Sequence, residues 1–408
     1  MTYGEALQKL TLAGQEHLLR FYNELSEKQK MELLQQIESL DLSLLNIGKG
    51  EAGAGKKGKL APLGALTLLD IQEKKEEYEA KGLDSIRACK VGAVLLAGGQ
   101  GTRLGFDKPK GMLNVGVNRE LYLFEQLINN LMAVVKKAEA WIPLFVMTSE
   151  KNNRDTVDFF KTHKFFGYNP DFVFFFVQDM APSVDSDGKI LLEEKGRIAT
   201  SPNGNGGWFA SMQKAGLQKE ITRLGLEWLN VFAVDNVLQK IADPVFVGAV
   251  LDSGCSCGSK VVAKADPEER VGVLCLEDGR PSIVEYYEMT DEIINSRDEN
   301  GTLLYNYGVI LNYLFRINEL IEIMDESMPI HIAEKKVACI DENGDKVTPE
   351  VPNGRKFEML VLDMIQKMPD CLPFEVERNR EFAPIKNRTG VDSLDSAREL
   401  MRQNGIEL

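Results

Sequence analysis

One stretch of the chain, Val91–Gly111, carries residues whose types and order suit the binding of a phosphate chain. It begins as an unbroken apolar run and then becomes glycine-rich, and the missing Cβ atoms let backbone N–H groups approach a ligand closely. Three cations, Arg103, Lys108 and Lys110, follow directly. A buried strand that ends in a glycine turn beside cations predicts an anion cradle at the carboxyl edge of an α/β sheet.

The spacing of the glycines excludes two common phosphate loops. A Walker loop requires Gly-x4-Gly-Lys-Ser/Thr, and neither Gly105 nor Gly111 stands in that context. A dinucleotide fingerprint requires Gly-x-Gly-x-x-Gly, and counting from Gly99 the third glycine position holds Leu104. The protein-kinase patterns are absent too, so the prediction does not extend to a kinase or an ATPase. The alternative to a phosphate site is a tight strand-to-helix turn that binds no ligand. The three cations favour the phosphate site over this alternative.

Leu96–Gly105 together with Pro109–Gly111 resembles the nucleotide-binding signature of the eukaryotic-type UDP-sugar pyrophosphorylase family, above all its UDP-N-acetylglucosamine pyrophosphorylases. Further segments match the family in the same order along the chain. They are Met147–Ser149, Gln178, Pro202–Gly207, Val234–Asn236, Lys260–Val262, Val284–Tyr286, Tyr305–Asn306, His331–Lys335 and Pro384–Asn387. A collinear series of this kind is not accounted for by chance likeness in one loop.

The resemblance implies a site for two small-molecule substrates, UTP and a sugar 1-phosphate. The nucleotide-binding positions that it implies are Leu96, Ala97, Gly98, Gly99, Gly101, Thr102, Gln178, Pro202 and Gly204. The sugar-binding positions are Asn205, Glu285 and Asn306, and the catalytic cations are Arg103, Lys110 and Lys386, with Lys335 as a weaker candidate.

Mg²⁺ is the predicted cofactor, and Asp235 is its predicted ligand. Asp235 directly follows a predicted strand, and hard cations prefer carboxylate oxygens. Position alone leaves an ordinary Asp-Asn turn equally open, and the resemblance favours the metal.

Uridylyl transfer to a sugar 1-phosphate needs no protein nucleophile, because the attacking phosphate is already anionic. Catalysis then consists of positioning and of neutralising two anions that repel each other. The side-chain amide of Gln178 can both donate to and accept from a pyrimidine edge, and the family uses the matching glutamine for uracil. Glu285 stands where the family carboxylate accepts hydrogen bonds from sugar hydroxyls.

Two positions depart from the family pattern. Asn203 replaces the usual aspartate, and Tyr307 stands where a small residue usually follows the asparagine matched by Asn306. The second change bears on the room for an N-acetyl group. The residues favour N-acetylglucosamine 1-phosphate, and they leave a UTP–glucose-1-phosphate uridylyltransferase or a broad-specificity enzyme open as alternatives. An alternative that is not an enzyme is a non-catalytic protein that binds nucleotide sugars.

Composition supports a sizeable core and more than one domain, with 408 residues of which 44% are hydrophobic and 27% charged. A formal net charge of -14 argues against a nucleic-acid-binding surface. The chain starts without the pattern of a signal peptide, and no apolar run is long enough to span a membrane. The six cysteines are expected to be reduced, and Cys255-Ser-Cys257 has no second pair at zinc spacing. We expect a cytoplasmic protein with neither nucleic-acid nor membrane partners, and the sequence leaves its oligomeric state open.

The alternation of apolar runs and amphipathic segments predicts an α/β fold, a Rossmann-like three-layer nucleotidyltransferase core with a mostly parallel central sheet, preceded by a helical N-terminal region. The predicted divisions are a helical region (1–48), a flexible linker (49–59), the catalytic core (60–390) and a C-terminal helix (391–408). The predicted strands are Val91–Ala97, Leu144–Thr148, Phe172–Gln178 and Asn230–Val234. The predicted helices are Glu5–Ser26, Glu27–Ser39, Thr67–Ala80, Glu120–Glu139, Asn152–Lys161 and Ser393–Gln403.

Overall fold

The computed structural model describes residues 1–47, 58–324 and 328–408. The chain forms two compact units, each assembled from three separate stretches. The smaller unit comprises Met1–Lys56, Asp179–Gly207 and Met328–Val361, and the larger unit comprises Lys57–Gln178, Trp208–Ser327 and Leu362–Leu408. The predicted linker lies outside the described residues except for positions 58 and 59. The predicted four-part division of the chain stays a prediction.

Helices and strands alternate along most of the described chain. The helices are α1 (Tyr3–Ala13), α2 (Glu27–Ser39), α3 (Leu44–Ile47), α4 (Leu68–Glu73), α5 (Lys75–Arg87), α6 (Leu123–Ala138), α7 (Asn153–Thr162), α8 (Trp208–Lys214), α9 (Gln218–Leu224), α10 (Pro244–Ser253), α11 (Asp291–Ile294), α12 (Ile317–Ile323), α13 (Val361–Lys367), α14 (Arg378–Glu381) and α15 (Leu394–Gln403). The strands are β1 (Leu60–Pro62), β2 (Val91–Leu96), β3 (Leu144–Thr148), β4 (Val173–Val177), β5 (Met180–Pro182), β6 (Leu192–Glu194), β7 (Arg197–Ile198), β8 (Thr200–Pro202), β9 (Trp228–Ala233), β10 (Cys257–Ala263), β11 (Val273–Glu277), β12 (Arg280–Val284), β13 (Tyr307–Arg316), β14 (His331–Lys335), β15 (Cys339–Ile340), β16 (Lys346–Val347), β17 (Gly354–Glu358) and β18 (Leu372–Glu375).

The larger unit is built on one sheet of ten strands. Its centre is parallel, because β2 pairs in parallel with both β9 and β3, and β3 pairs in parallel with β4. Antiparallel strands continue the sheet beyond β9, where β13 pairs with β9, β10 and β11. The strands β12 and β1 pair with β11, and β18 pairs in parallel with β10. The predicted parallel α/β core is confirmed, and antiparallel strands extend it.

Helices cover both faces of this sheet. All six residues of β2 are buried, as expected for a strand covered on both faces. Ala93 and Leu95 belong to a core cluster that includes residues of α5, α6 and α10. On the opposite face, the indole of Trp208 in α8 packs beside Phe315 of β13, with ring centroids 6.3 Å apart. Because side chains alternate along a strand, the two helical layers contact different residues of the same sheet.

The predicted helices and strands of the larger unit are largely confirmed. All four predicted strands form, with bounds that differ by at most two residues, and α6, α7 and α15 occupy the predicted helical segments. The prediction of a single helix over residues 67–80 is wrong, because the helix is interrupted at Lys74, which separates α4 from α5. Lys74 has φ -112° and ψ 15°, outside helical geometry, so the α4 hydrogen-bond series ends there.

In the smaller unit, α1 and α2 pack against short antiparallel strand pairs around a core that includes Leu10 and Leu33. The helix α2 has the predicted bounds, and the Ser26 side chain caps it. The single helix predicted for Glu5–Ser26 is wrong. Helix α1 ends at Ala13 because Gly14 adopts the left-handed conformation, and only short 3₁₀ turns follow before α2.

Among the described residues, no helix has the length and apolar character needed to cross a membrane.

Candidate functional site

The four central parallel strands end level with one another. The backbone N–H of Ala97 donates to the Met147 carbonyl at 2.8 Å, and that of Gln178 donates to the Thr148 carbonyl at 2.9 Å. Asp235 lies two residues after the end of β9, the other neighbour of β2. The same edge of the sheet therefore carries the predicted nucleotide loop, the residue predicted to bind uracil (Gln178) and the residue predicted to bind the metal (Asp235). Open α/β sheets bind their ligands at this edge.

The glycines of the loop serve different purposes. A Cβ on Gly98 would lie 2.3 Å from Nε2 of Gln178, and one on Gly101 would lie 2.7 Å from the Phe106 side chain. In the described part of the chain, no atom apart from those of its two chain neighbours lies within 4 Å of a Cβ position on Gly99. Packing within the protein accounts for Gly98 and Gly101, and Gly99 borders open space that a ligand can enter.

The loop folds back on itself and returns Lys110 to its start. The Lys110 N–H donates to the Gly99 carbonyl at 3.2 Å, and the Gly101 N–H donates to the Lys108 carbonyl at 3.0 Å. A 3₁₀ turn over Thr102–Leu104 lies between these bonds and leaves the Arg103 side chain exposed. The local fold thus separates a half-buried lysine from an exposed arginine.

The predicted nucleotide contacts of Leu96, Ala97 and Thr102 have different surroundings. Leu96 and Ala97 are buried at 6% and 2% exposure, so only their main chain can face a ligand, while Thr102 is exposed. The Ala97 carbonyl already accepts a hydrogen bond of 2.9 Å from Nδ2 of the buried Asn152. A contact with uracil at Ala97 would use the second lone pair of that carbonyl.

Four of the predicted site residues converge beside the loop. The Lys110 ammonium nitrogen lies 3.7 Å from Oδ2 of Asp235, with side-chain exposures of 15% and 22%. Burial lowers the pKa of Lys110, and the nearby Lys386 and Arg103 cations lower it further. The Asp235 carboxylate opposes this shift. The result is a partly desolvated Lys110–Asp235 pair with the Lys386 and Arg103 cations nearby, which suits a polyanionic ligand.

Main-chain hydrogen bonds place Lys386 in this group. The N–H of Ile385 donates to the Asp235 carbonyl at 2.9 Å, and the N–H of Lys386 donates to the Asp392 carbonyl at 2.7 Å. Asp392 has a left-handed φ of 55°. Burial raises the pKa of its carboxyl; Asp235 raises it further, and Lys386 opposes the shift. Sequence reasoning missed Asp392, since nothing in its local sequence marks it.

Asn236 joins the loop after β9 to the segment that carries Lys386. Its side chain is 1% exposed and donates from Nδ2 to the Glu381 carbonyl at 2.7 Å. Its Oδ1 accepts from the Ala383 N–H at 2.9 Å. Sequence reasoning treated Asn236 only as the neighbour of Asp235, yet it fixes both segments with one amide.

The predicted sugar-binding residues of the larger unit come from neighbouring strands. Val273 in β11 is paired with Val284 on one side and with Gly308 on the other. Glu285 follows Val284 directly, and Asn306 lies two residues before Gly308. Glu285 therefore follows the end of β12 and Asn306 precedes the start of β13, two strands that pair with β11.

The remaining predicted residues belong to the smaller unit. Pro202 ends β8, and Gly204 has a φ of 90° with the Met359 carbonyl 2.2 Å from its Cβ position, so the chain requires glycine there. Oδ1 of Asn205 accepts from the Val361 N–H at 3.0 Å. A ligand contact by Asn205 would therefore use Nδ2.

Residues 57–403 match the family model described as UTP–glucose-1-phosphate uridylyltransferase. The chain belongs to this family. The mouse UDP-N-acetylhexosamine pyrophosphorylase-like protein 1 is 38% identical over 94% of this chain and 80% of its own length. The UDP-N-acetylglucosamine pyrophosphorylase of Saccharomyces cerevisiae is 34% identical over 93% of this chain and 84% of its own length.

A crystal structure of a family member has the same fold. The uridine diphosphate N-acetylglucosamine pyrophosphorylase from Trypanosoma brucei, crystallised with an inhibitor, superposes with a TM-score of 0.81 at 28% identity, over 97% of this chain and 83% of that one. The family resemblance and the fold class predicted from the sequence are confirmed.

Both departures from the uridylyltransferase family pattern have defined surroundings. Burial raises the pKa of Tyr307, and the Glu375 and Asp70 carboxylates raise it further, so its phenol lies on the side of β18 and α4. Oδ1 of Asn203 is buried with no hydrogen-bond partner in the described part of the protein. Lys335, the weaker candidate, is exposed on β14.

The described residues of this uridylyltransferase contain no group of three or more His, Cys, Asp or Glu side chains placed to hold a metal ion. Asp235 lies beside the Lys110 cation, and Asp392 is a second carboxylate nearby. Mg²⁺ is commonly bound by one or two carboxylates together with substrate phosphates and water. Asp235 fits an ion that arrives with the nucleotide better than a preformed protein cage.

Proposed function

We propose that this family member is a UDP-sugar pyrophosphorylase that converts UTP and N-acetylglucosamine 1-phosphate to UDP-N-acetylglucosamine and pyrophosphate. The pairing of Lys110 with Asp235, close enough to Arg103 and Lys386 for both cations to lower the pKa of Lys110, carries the proposal. The names of the mouse and yeast relatives support the N-acetylated sugar. We place the reaction in the cytoplasm, a location supported by the six cysteines, which are all free thiols.

The three cations would act on the phosphates of both substrates. A phosphate oxygen of the sugar 1-phosphate attacks the α-phosphorus of UTP in line, and the bond to the β-phosphate oxygen breaks as pyrophosphate leaves. Two polyanions must approach each other, so preorganised positive charge lowers the barrier most. Lys110 and Arg103 follow the glycine loop and would neutralise the triphosphate, and Lys386 would reach the sugar phosphate.

Asp235 would hold Mg²⁺ when the nucleotide binds. When bound, the ion would neutralise negative charge on phosphate oxygens. Before binding, the same carboxylate lies 3.7 Å from the Lys110 ammonium and keeps it at the edge of the sheet. Asp235 would therefore have two partners in sequence, first the lysine and then the metal.

Gln178 would select uracil. Its side chain is 6% exposed and lies against Gly98, at the start of the loop. An amide held in this way presents one donor and one acceptor at a fixed position, which matches the edge of a pyrimidine. Glu285 and Asn306, which border two strands that pair with β11, would receive the sugar.

The release of pyrophosphate from UTP tests the proposal when it is measured with N-acetylglucosamine, glucose and galactose 1-phosphates in parallel. We expect the highest kcat/KM for the N-acetylated sugar. A preference for glucose 1-phosphate would identify a UTP–glucose-1-phosphate uridylyltransferase, and similar values would identify a broad-specificity enzyme. UDP-sugar binding without pyrophosphate release from any of the three would refute the enzyme and leave a binding protein.

A further inference from the structure

One lysine of the main sheet is fully buried. Lys260, in β10, is 0% exposed, and its ammonium nitrogen lies 2.9 Å from Oδ2 of Asp243 and 2.6 Å from Oε2 of Glu381. The more exposed Lys240 reaches the other oxygen of Glu381 at 3.1 Å. We call Lys240, Asp243, Lys260 and Glu381 the buried charge cluster. Fully buried lysines are rare and occur almost only when paired.

Stability is a poor explanation for such a cluster. Removing charges from water costs several kcal/mol per ion, and apolar side chains of similar volume often stabilise a core as well or better. Burial acts to raise the pKa of Asp243, but the Lys260 and Lys240 ammonium groups outweigh it and hold that pKa below its ordinary value. Asp243 is therefore favoured in its ionised form, and the cluster holds its members through directional contacts. Directional contacts define one geometry, whereas apolar contacts tolerate small shifts.

The cluster joins elements that lie far apart in the sequence. Asp243 caps the start of α10, where its Oδ1 accepts from the Val245 N–H at 3.1 Å. Glu381 is the last residue of α14. Lys260 thus holds the end of α14 against the start of α10 from its position in β10.

The segment after Glu381 leads directly into the phosphate site. Its main chain is bonded to the loop after β9 by the Asn236 side chain at Glu381 and Ala383, and by Ile385 to the Asp235 carbonyl. Four residues lie between Glu381 and Lys386. Asp235 follows a core strand that anchors it independently, so Lys386 depends more on where α14 ends.

We propose that Lys260 is a positioning residue for the reaction, which sets the place of Lys386 by fixing Glu381, without touching either substrate. This inference rests on the proposed function for its catalytic consequence. Misplacing a reacting group by about 1 Å is enough to cost about 10²-fold in rate. The cluster supplies the directional support that an apolar core would lack.

A double-mutant cycle with Lys260→Met and Lys386→Ala tests the coupling. We expect Lys260→Met to lower kcat by about 10- to 100-fold in the otherwise unchanged protein, and by less than about 3-fold when Lys386 is already alanine. Effects that multiply would show that Lys260 does not act through Lys386 and would overturn the proposal. Leu320→Ala, a fully buried change in α12, is the control, since it lowers stability elsewhere and should leave kcat unchanged below its melting temperature.

Lys260→Met alone leaves two buried carboxylates without their main cation, so a second variant separates folding from positioning. The double variant Lys260→Met, Glu381→Leu replaces both partners of one ion pair at once. Its melting temperature should stay near that of the parent protein. We expect its kcat to remain at least about 10-fold lower. Recovery of both melting temperature and kcat in this variant would show that any well-packed core suffices.

Hydrogen exchange gives a readout that does not depend on activity. In the unliganded Lys260→Met, Glu381→Leu variant, amides of residues 381–387 should exchange faster than in the parent protein, while those of β3 should not change. Unchanged exchange in residues 381–387 would refute the positioning role. If the variant exchanges faster but the parent protein releases no pyrophosphate, the proposed function is refuted and the role of Lys260 in fixing this segment is not.

Discussion

Replacing Lys110 with methionine removes one positive charge from the phosphate site while keeping most of the side-chain volume. The ammonium lies 3.7 Å from Asp235, and the Lys110 side chain is only 15% exposed. Two unit charges about 4 Å apart interact by about 4 kcal/mol at the effective dielectric constant of about 20 that suits such a position. A phosphate oxygen that takes the place of Asp235 would experience an interaction of the same order.

Only the part of this interaction that strengthens in the transition state affects kcat. Removal of one preorganised donor at a developing charge typically costs about 2.7–4 kcal/mol, which is about 10²- to 10³-fold in kcat. We expect Lys110→Met to lie in this range. Asp235 already holds Lys110 in place in the free protein. Ordering the Lys110 side chain therefore offsets little of the free energy by which it stabilises the transition state.

The assay is steady-state pyrophosphate release at saturating UTP and sugar 1-phosphate, with melting temperatures measured in parallel. Lys136→Met is the matched control, because it removes the same charge from an exposed position in α6. Its kcat should stay within about 3-fold of the parent value, as is usual for exposed surface changes. A folded Lys110→Met protein with a kcat equally close to the parent value would refute the assigned role of Lys110.

The pH dependence gives a second check on the same residue. The protonated amine is the active form, and burial lowers its pKa, so the active fraction falls at a lower pH than it does for an ordinary lysine. The kcat/KM profile reports the free enzyme and should decline correspondingly early on the alkaline side. Lys110→Arg, whose charge persists, should move that decline to higher pH whatever its absolute rate. If kcat/KM declines at the same alkaline pH in both proteins, the decline is caused by a group other than Lys110.

Four further substitutions test the remaining parts of the site. Asp235→Asn should lower kcat and raise the Mg²⁺ concentration needed for half-maximal rate, since an amide is a poorer ligand for a hard cation; full activity in EDTA would exclude a metal. UTP should exceed ATP in kcat/KM by at least about 10²-fold, and Gln178→Ala should reduce that ratio; an unchanged ratio would remove Gln178 from nucleotide selection. Glu285→Ala should raise the KM for the sugar 1-phosphate far more than the Kd for UTP measured by calorimetry, and parallel losses would contradict a sugar contact. Tyr307→Ala should lower stability by less than the roughly 3–5 kcal/mol of a fully buried aromatic residue and leave the ratio of sugars used unchanged; a shifted ratio would make Tyr307 a specificity residue.

The strands that carry the site could be predicted from local sequence. The apolar run from Val91 is long enough for one buried strand and is ended by glycines, and β3 has the predicted bounds Leu144–Thr148. Apolar pattern and chain breakers are properties of neighbouring residues, so they are readable without a fold. The same method failed for Glu5–Ser26, where Gly14 ends α1 despite helically spaced leucines on both sides.

The reason for each glycine was less readable. The sequence predicted that Gly98, Gly99 and Gly101 let a ligand approach. The structure shows that Gln178 occupies the space beside Gly98 and that Phe106 occupies the space beside Gly101. Both neighbours are set by folding, and only Gly99 retains the open side that the pattern predicted for all three.

By itself, the sequence determined the residue types of the site, the strands that lead to it and the family. Only the tertiary structure decided which of these residues meet. Lys110, Asp235 and Lys386 come from three loops far apart in the chain, and strand order together with the Asn236 hydrogen bonds brings them together. The role of Lys260 was equally hidden, since a lysine in a β-strand has the same sequence whether it faces water or two buried carboxylates. Partners chosen by strand pairing and burial depend on the whole chain, and no local pattern records them.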